Sequence, residues 1–177
     1  MFLQRLLKPG PARGVGEKLY ASTVQRARTP SLYAEMGAPD TPDGRFELYT
    51  LHVLLVLNRL RELGQDAAPV SQAYFDAYIG GLDHGLRELA VGDLSVGKTM
   101  RRLGEAFYGR GRSLDAAIAA LPDERPLKEF IGRTVYGKHA EADPAPLASY
   151  LLALRTALET TPPEALLAGD IDWPAVG

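Results

Sequence analysis

Ten consecutive residues, Leu48 to Leu57, are apolar apart from Thr50 and His52. Strong helix signals bracket them. Asp40 or Thr41 can cap, Pro42 suits the first helical position, Asp43 favours the positive end of the helix dipole, and Gly64 supplies a stop. The pattern predicts a helix from about Arg45 to Leu63 whose middle is apolar nearly all round. Such a helix belongs at the centre of a protein, covered on every side. Crossing a bilayer takes about 20 apolar residues, so this run reads as core rather than as a membrane span.

The covering elements read as helices too, and no segment has a convincing strand pattern. Lys18 to Arg28 is helical, and Pro30 opens a short helix through Ser31 to Met36 before Gly37. Ser71 is expected to cap a long helix with Phe75, Tyr78, Ile79, Leu82, Leu86 and Leu89 in one stripe. Gly80 and Gly81 each cost that helix about 1 kcal/mol relative to alanine, and such a pair permits a kink or close approach of another backbone. Gly92 then breaks the chain. Ser95 is expected to cap a helix with Val96, Met100, Leu103 and Phe107 on one face and Lys98, Arg101, Arg102 and Glu105 on the other.

Ser113 is expected to cap a separate short helix through Leu114, Ile118 and Leu121, ended by Pro122. Another helix covers 126–136, and Leu147, Leu151, Leu154 and Leu158 mark a final long one beyond a linker from Gly137 to Pro146. Leu166, Leu167 and Trp173 can dock the tail back onto the body. The predicted fold is all-α: a single compact multi-helix domain with about six to eight helices. Its expected parts are a basic flexible arm (1–16), a helical domain (17–160) and a proline-rich tail (161–177).

The 177 residues suffice for one domain with a sizeable core. The chain has no cysteine, which excludes disulfides, thiolate metal sites and cysteine nucleophiles. A net charge of −2 argues against a global nucleic-acid binder, and no DNA partner is expected. Charge is nevertheless uneven. Residues 1–28 carry six basic residues against one acidic, leaving −7 for the remainder. That segment can meet lipid headgroups or ribosomal RNA, or be a solvated terminus. Met1 to Leu7 is too short for a secretory core.

Gly92-Asp-Leu-Ser-Val-Gly97-Lys98-Thr99 satisfies the nucleotide-loop pattern G-x-x-x-x-G-K-[ST]. In a working site, a buried strand leads into a loop whose backbone N–H groups wrap a phosphate. Here a charged helix precedes it, so the residues read as a helix start with Lys98 exposed. His84 and Glu88, four apart, form a metal pair only if a third ligand joins them. They read better as surface polar residues, and His52 reads as a hydrogen-bonded core histidine. No nucleophile elbow and no doubled Glu-x-x-His di-iron motif is present. No cofactor, metal or catalytic residue is expected. The basic set Lys98, Arg101, Arg102, Arg110 and Arg112, beside Phe107 and Tyr108, reads either as a contact surface or as a solvated helix face.

Three phrases then read together: Pro39-Asp-Thr-Pro-Asp-Gly-Arg-Phe-Glu-Leu48, Leu86-Arg-Glu-Leu-Ala-Val-Gly-Asp-Leu-Ser-Val-Gly-Lys98, and Ala106-Phe-Tyr-Gly-Arg110. In this order and spacing, over roughly residues 25–140, the chain resembles the ubiquinol–cytochrome c chaperone family. The last 37 residues carry no such resemblance. The resemblance implies a non-enzymatic helical assembly factor for respiratory complex III. Its client would be newly made cytochrome b or another complex III component. It also implies partners that some members have, namely the ribosome and a small partner protein. The expected location is cytoplasmic or peripheral at the inner membrane, with residues 1–28 as the membrane contact. A helical module binding lipid or quinone is the alternative, with a nucleotide-hydrolysing enzyme behind it. The expected client groove runs beside the Phe75–Leu89 and Val96–Phe107 helices. Asp83, Arg87, Glu88, Asp93 and Lys98 would lie at its rim, joined by Arg101 or Arg102, and Tyr108 and Arg110 would be its aromatic and cationic anchors.

Overall fold

The computed structural model describes residues 10–88, 93–137 and 141–176. These form eight α-helices with no strand: α1 (Pro11–Ala27), α2 (Pro30–Ala34), α3 (Pro42–Glu62), α4 (Ala68–Glu88), α5 (Asp93–Ala119), α6 (Arg125–Ile131), α7 (Ala145–Thr160) and α8 (Pro163–Leu167). A 3-10 turn (Gly64–Ala67) links α3 to α4, and a π turn (Gly132–Tyr136) extends α6. The fold is all-α and a single domain.

α3 is the central helix that its sequence requires. The Thr41 hydroxyl accepts a hydrogen bond from the Gly44 N–H at 3.1 Å, which satisfies one of the free donors of the first turn. Residues 50–56 are all buried, so no face of this stretch is left to water. α1, α4, α7 and the π turn cover it. Each fully buried leucine there contributes about 1.5–3 kcal/mol relative to an exposed one. Gly37 and Gly64 adopt φ of +71° and +77°, the left-handed conformation that ends α2 and follows α3.

Four boundaries differ from the sequence reading. α1 begins at Pro11, so residues 11–16 belong to the helical body rather than to a flexible arm. A Cβ on Gly16 would stand 2.6 Å from the Ala73 carbonyl carbon and the Tyr74 nitrogen, so α1 crosses α4 at backbone contact. Ser71 caps nothing: the 3-10 turn feeds directly into α4, Pro69 takes an opening position, and Ser71 lies inside the helix. Ser95 likewise lies inside α5, which begins by Asp93. Ser113 does not restart a helix, because α5 runs unbroken for 27 residues. Glycine and large apolar residues alternate along one line of it (Gly97, Met100, Gly104, Phe107, Gly111, Leu114, Ile118), and this 3–4 spacing passes straight through the supposed break. The expected break at Gly92, and His139 in the linker, lie outside the described residues.

The tail does return to the body. Leu166 is buried, the Trp173 indole N–H donates to Ser22 Oγ at 2.7 Å, and Lys18 pairs with Asp170 at 2.7 Å.

Candidate functional site

An open groove of about 570 Å³ lies where the last turns of α3, the start of α4 and the middle of α5 meet. Its floor is apolar: Leu54, Leu57, Phe75 and Phe107. α5 approaches α3 closely here, because a Cβ on Gly111 would lie only 3.3 Å from the Leu54 side chain. At one end Asp115 accepts hydrogen bonds from Asn58 Nδ2 at 2.8 Å and Arg61 Nη2 at 3.3 Å, which fixes α5 against α3. At the lip stands Tyr108, with 63% of its surface exposed, while neighbouring Phe107 is buried. Tyr108 ends an aromatic row. Tyr20, Tyr49, Tyr78, Phe107 and Tyr108 follow one another with ring centroids 6.2, 5.3, 5.1 and 5.9 Å apart, from α1 through α3 and α4 to the surface of α5. Burial pushes the Tyr78 hydroxyl up to about 12, so it stays a neutral hydrogen-bonding group.

Among the expected client-site residues whose side chains are described, only Tyr108 lines this groove. Asp83 and Arg87 pair along α4 at 2.8 Å, and the Arg87 hydrogen bond is the chief reason the Asp83 carboxyl titrates below the usual carboxylate range. His84 meets Glu88 at 3.2 Å on the same exposed turn. No group of three metal-ligating residues occurs among the described residues. Lys98, Arg101 and Arg102 are exposed on the outer side of α5, about one and a half to two and a half turns before the groove-lining Phe107. The side chain of Asp93 lies outside the described residues.

Arg110 departs from its expected role. It turns inward and makes a two-pronged salt bridge with Glu47, both side chains mostly buried, with its guanidinium 5.8 Å from the Phe46 ring. An arginine so committed anchors α5 to α3 and is not a free cation for a client. Glu47 escaped the sequence reading because its partner lies 63 residues away. The α3 wall and Asp115 were also missed, whereas Arg112 stood in the basic contact set. The glycine–apolar line along α5, which puts Gly111 one heptad after Gly104, was the signal that could have found them.

The nucleotide-loop pattern does not form the architecture it needs. The element before it is helix α4, and Asp93–Thr99 are the opening turns of α5. From Gly97 onward their backbone N–H groups are committed to the helix ladder, and no strand-to-loop turn presents them to an anion.

The profile of the ubiquinol–cytochrome C chaperone family matches residues 34–173. The chain belongs to this family. The match reaches well past the sequence resemblance, into the docked tail. A solved structure described as the Cbp3 homolog from Brucella abortus is similar to this chaperone-family chain at 34% identity. The TM-score is 0.83, covering 99% of this chain and 98% of that one. No curated protein sequence matches with comparable significance.

Proposed function

We propose that this chain is a non-enzymatic assembly chaperone for respiratory complex III, and that the α3–α4–α5 groove is where it holds an apolar segment of newly made cytochrome b. Family membership supports the assembly role. The observation that carries the site is an apolar floor left open to solvent beside the exposed ring of Tyr108. An apolar surface held apart from water is what an unassembled membrane segment needs in a partner.

Two features suit the groove to a temporary contact. Two of the three helices that form its floor, α3 and α5, are fixed to each other by Asp115 and by the Glu47–Arg110 bridge, so that part needs little ordering on binding. Its apolar lining is modest in area, so a client can leave for the bilayer. The charges of the α4–α5 hairpin (Asp83, Arg87, Glu88, Lys98) lie beyond the groove and would meet the client's flanking polar residues.

Site-specific photocrosslinking tests the proposal. A crosslinker at Gln72, exposed on the groove wall, should capture cytochrome b during its synthesis, and Leu57→Arg should abolish capture while the protein stays folded. Equal capture from Arg133, an exposed position outside the groove, would overturn it.

A further inference from the structure

Most cations on the described surface have an acidic partner. Arg13 pairs with Glu17, Lys18 with Asp170, Arg45 with Asp40, Arg61 with Asp115, Arg125 with Asp123, Lys128 with Glu124 and Arg155 with Glu159. The outer side of α5 breaks this pattern. Lys98, Arg102 and Arg112 are exposed and have no ion-pair partner among the described residues, and Arg101 reaches Glu105 only at 3.9 Å. At 100° and 1.5 Å per residue, these four cations and Tyr108 lie within about 120° of one helix face, along about 21 Å of its axis.

We infer that this ridge docks the protein on an anionic lipid bilayer. The cations fan outward along a convex helix instead of converging on a point, so they suit an extended, laterally mobile array of headgroups better than a discrete anion. Tyr108 supplies the amphipathic ring that settles at the headgroup level. Tyr108 and Arg112 also form the lip of the apolar groove, so docking brings the groove's mouth to the bilayer surface. An RNA partner would leave that adjoining apolar opening unused. The amino-terminal segment, where the sequence places the basic excess, is a poorer candidate within its described part. Arg13 and Lys18 are in ion pairs there, and Arg26 turns inward to Tyr150. The inference does not depend on which client the groove holds.

The test is flotation of the full chain with vesicles of phosphatidylcholine, with and without phosphatidylglycerol. The protein should partition onto the anionic vesicles only, and added salt should release it. Each basic residue near an anionic surface contributes about 1 kcal/mol, or about fivefold. The triple variant Lys98→Ala/Arg102→Ala/Arg112→Ala should therefore lose on the order of 100-fold in partitioning, with its thermal unfolding little changed. Arg28→Ala/Arg133→Ala, which removes two exposed cations elsewhere, should retain binding, as should a chain lacking residues 1–9. No capture by anionic vesicles would overturn the inference. So would an unaffected triple variant, loss in either control, or ridge-dependent capture of RNA without capture of vesicles.

Discussion

Arg110 and Arg112 stand two residues apart on α5 and face different worlds. Arg110 points inward and closes a salt bridge with Glu47 of α3; Arg112 points outward and meets no acid among the described residues. The contrast extends to the regions they belong to. Around α3, most buried polar groups are tied into pairs, with Tyr49 Oη and Arg26 Nη2 the exceptions. His52 is bonded through both ring nitrogens, at 2.7 Å to the Leu48 carbonyl and 2.8 Å to the Tyr150 hydroxyl. Thr23 receives a hydrogen bond from Tyr74 at 3.0 Å. On the outer side of α5 the same kinds of residue stand in water unpaired. An unpaired polar group is costly inside and nearly free outside. The inner pairs therefore serve stability, and the outer cations are left to serve contact.

If that division is right, its largest expression is at Glu47. Arg110→Met leaves a mostly buried carboxylate without its partner, a loss of about 3–5 kcal/mol. The unfolding temperature should fall by on the order of 10 °C in calorimetry. The double variant Glu47→Leu/Arg110→Met should recover most of it, because the cost lies in the orphaned charge. A double variant as unstable as the single one would mean that packing, not charge, sets the loss.

His52 offers a pH readout of the same interior. Its Nδ1–H donates to Leu48, so Nε2 accepts from the Tyr150 hydroxyl, which in turn accepts from Arg26 Nε at 3.0 Å. Desolvation in this dry site lowers the imidazole from 6.5 to about 4, helped by nearby Arg26 and opposed by the Leu48 hydrogen bond. The folded protein thus holds His52 neutral while the unfolded chain charges it. Above pH 6.5 the group costs nothing; as pH falls from 6.5 to 4 the unfolded state gains protons and stability drops by on the order of 3 kcal/mol. His52→Gln should flatten that part of the stability–pH curve. A curve of unchanged slope would show that other groups carry it.

A smaller effect is expected at Gly16. Alanine is the better helix former, yet its Cβ would meet the backbone of α4 at 2.6 Å. Overpacking of this kind costs about 1–3 kcal/mol, and denaturant unfolding of Gly16→Ala should show it. Gly80→Ala, on the same α4 with open space around its Cβ, should stabilise by a few tenths to about 1 kcal/mol.

This division also marks what the sequence could tell. α3 was legible because its capping residues, its glycine stop and its all-round apolar middle agree with one another. His52 was legible as core for the same reason, being the odd polar residue in a run with no water-facing side. The exposed Asp83–Arg87 pair was legible because four-residue spacing fixes it locally. Glu47–Arg110 and the α3 wall of the groove were not, since both depend on how helices far apart in sequence come together. Ser95 and Ser113 misled because a serine is tolerated on an exposed helical turn as well as at a cap, and only the glycine–apolar line of α5 distinguishes the two; Ser71 misled because the 3-10 turn runs straight into α4 and leaves no cap to fill.

The smallest effect tests the outer half of the contrast. Lys98→Ala, Arg102→Ala and Arg112→Ala should each change stability by no more than about 0.5 kcal/mol, or about 2 °C in unfolding temperature. Alanine is a good helix former, so even the sign can favour the variant. A loss of several degrees at Arg112 would show that this side chain packs into the groove mouth and stabilises the α3–α5 contact. It would then belong with Arg110, and the boundary between the stabilising and contacting sides of α5 would move past it. Unchanged unfolding in all three, alongside weakened vesicle binding, would instead place that boundary between Arg110 and Arg112.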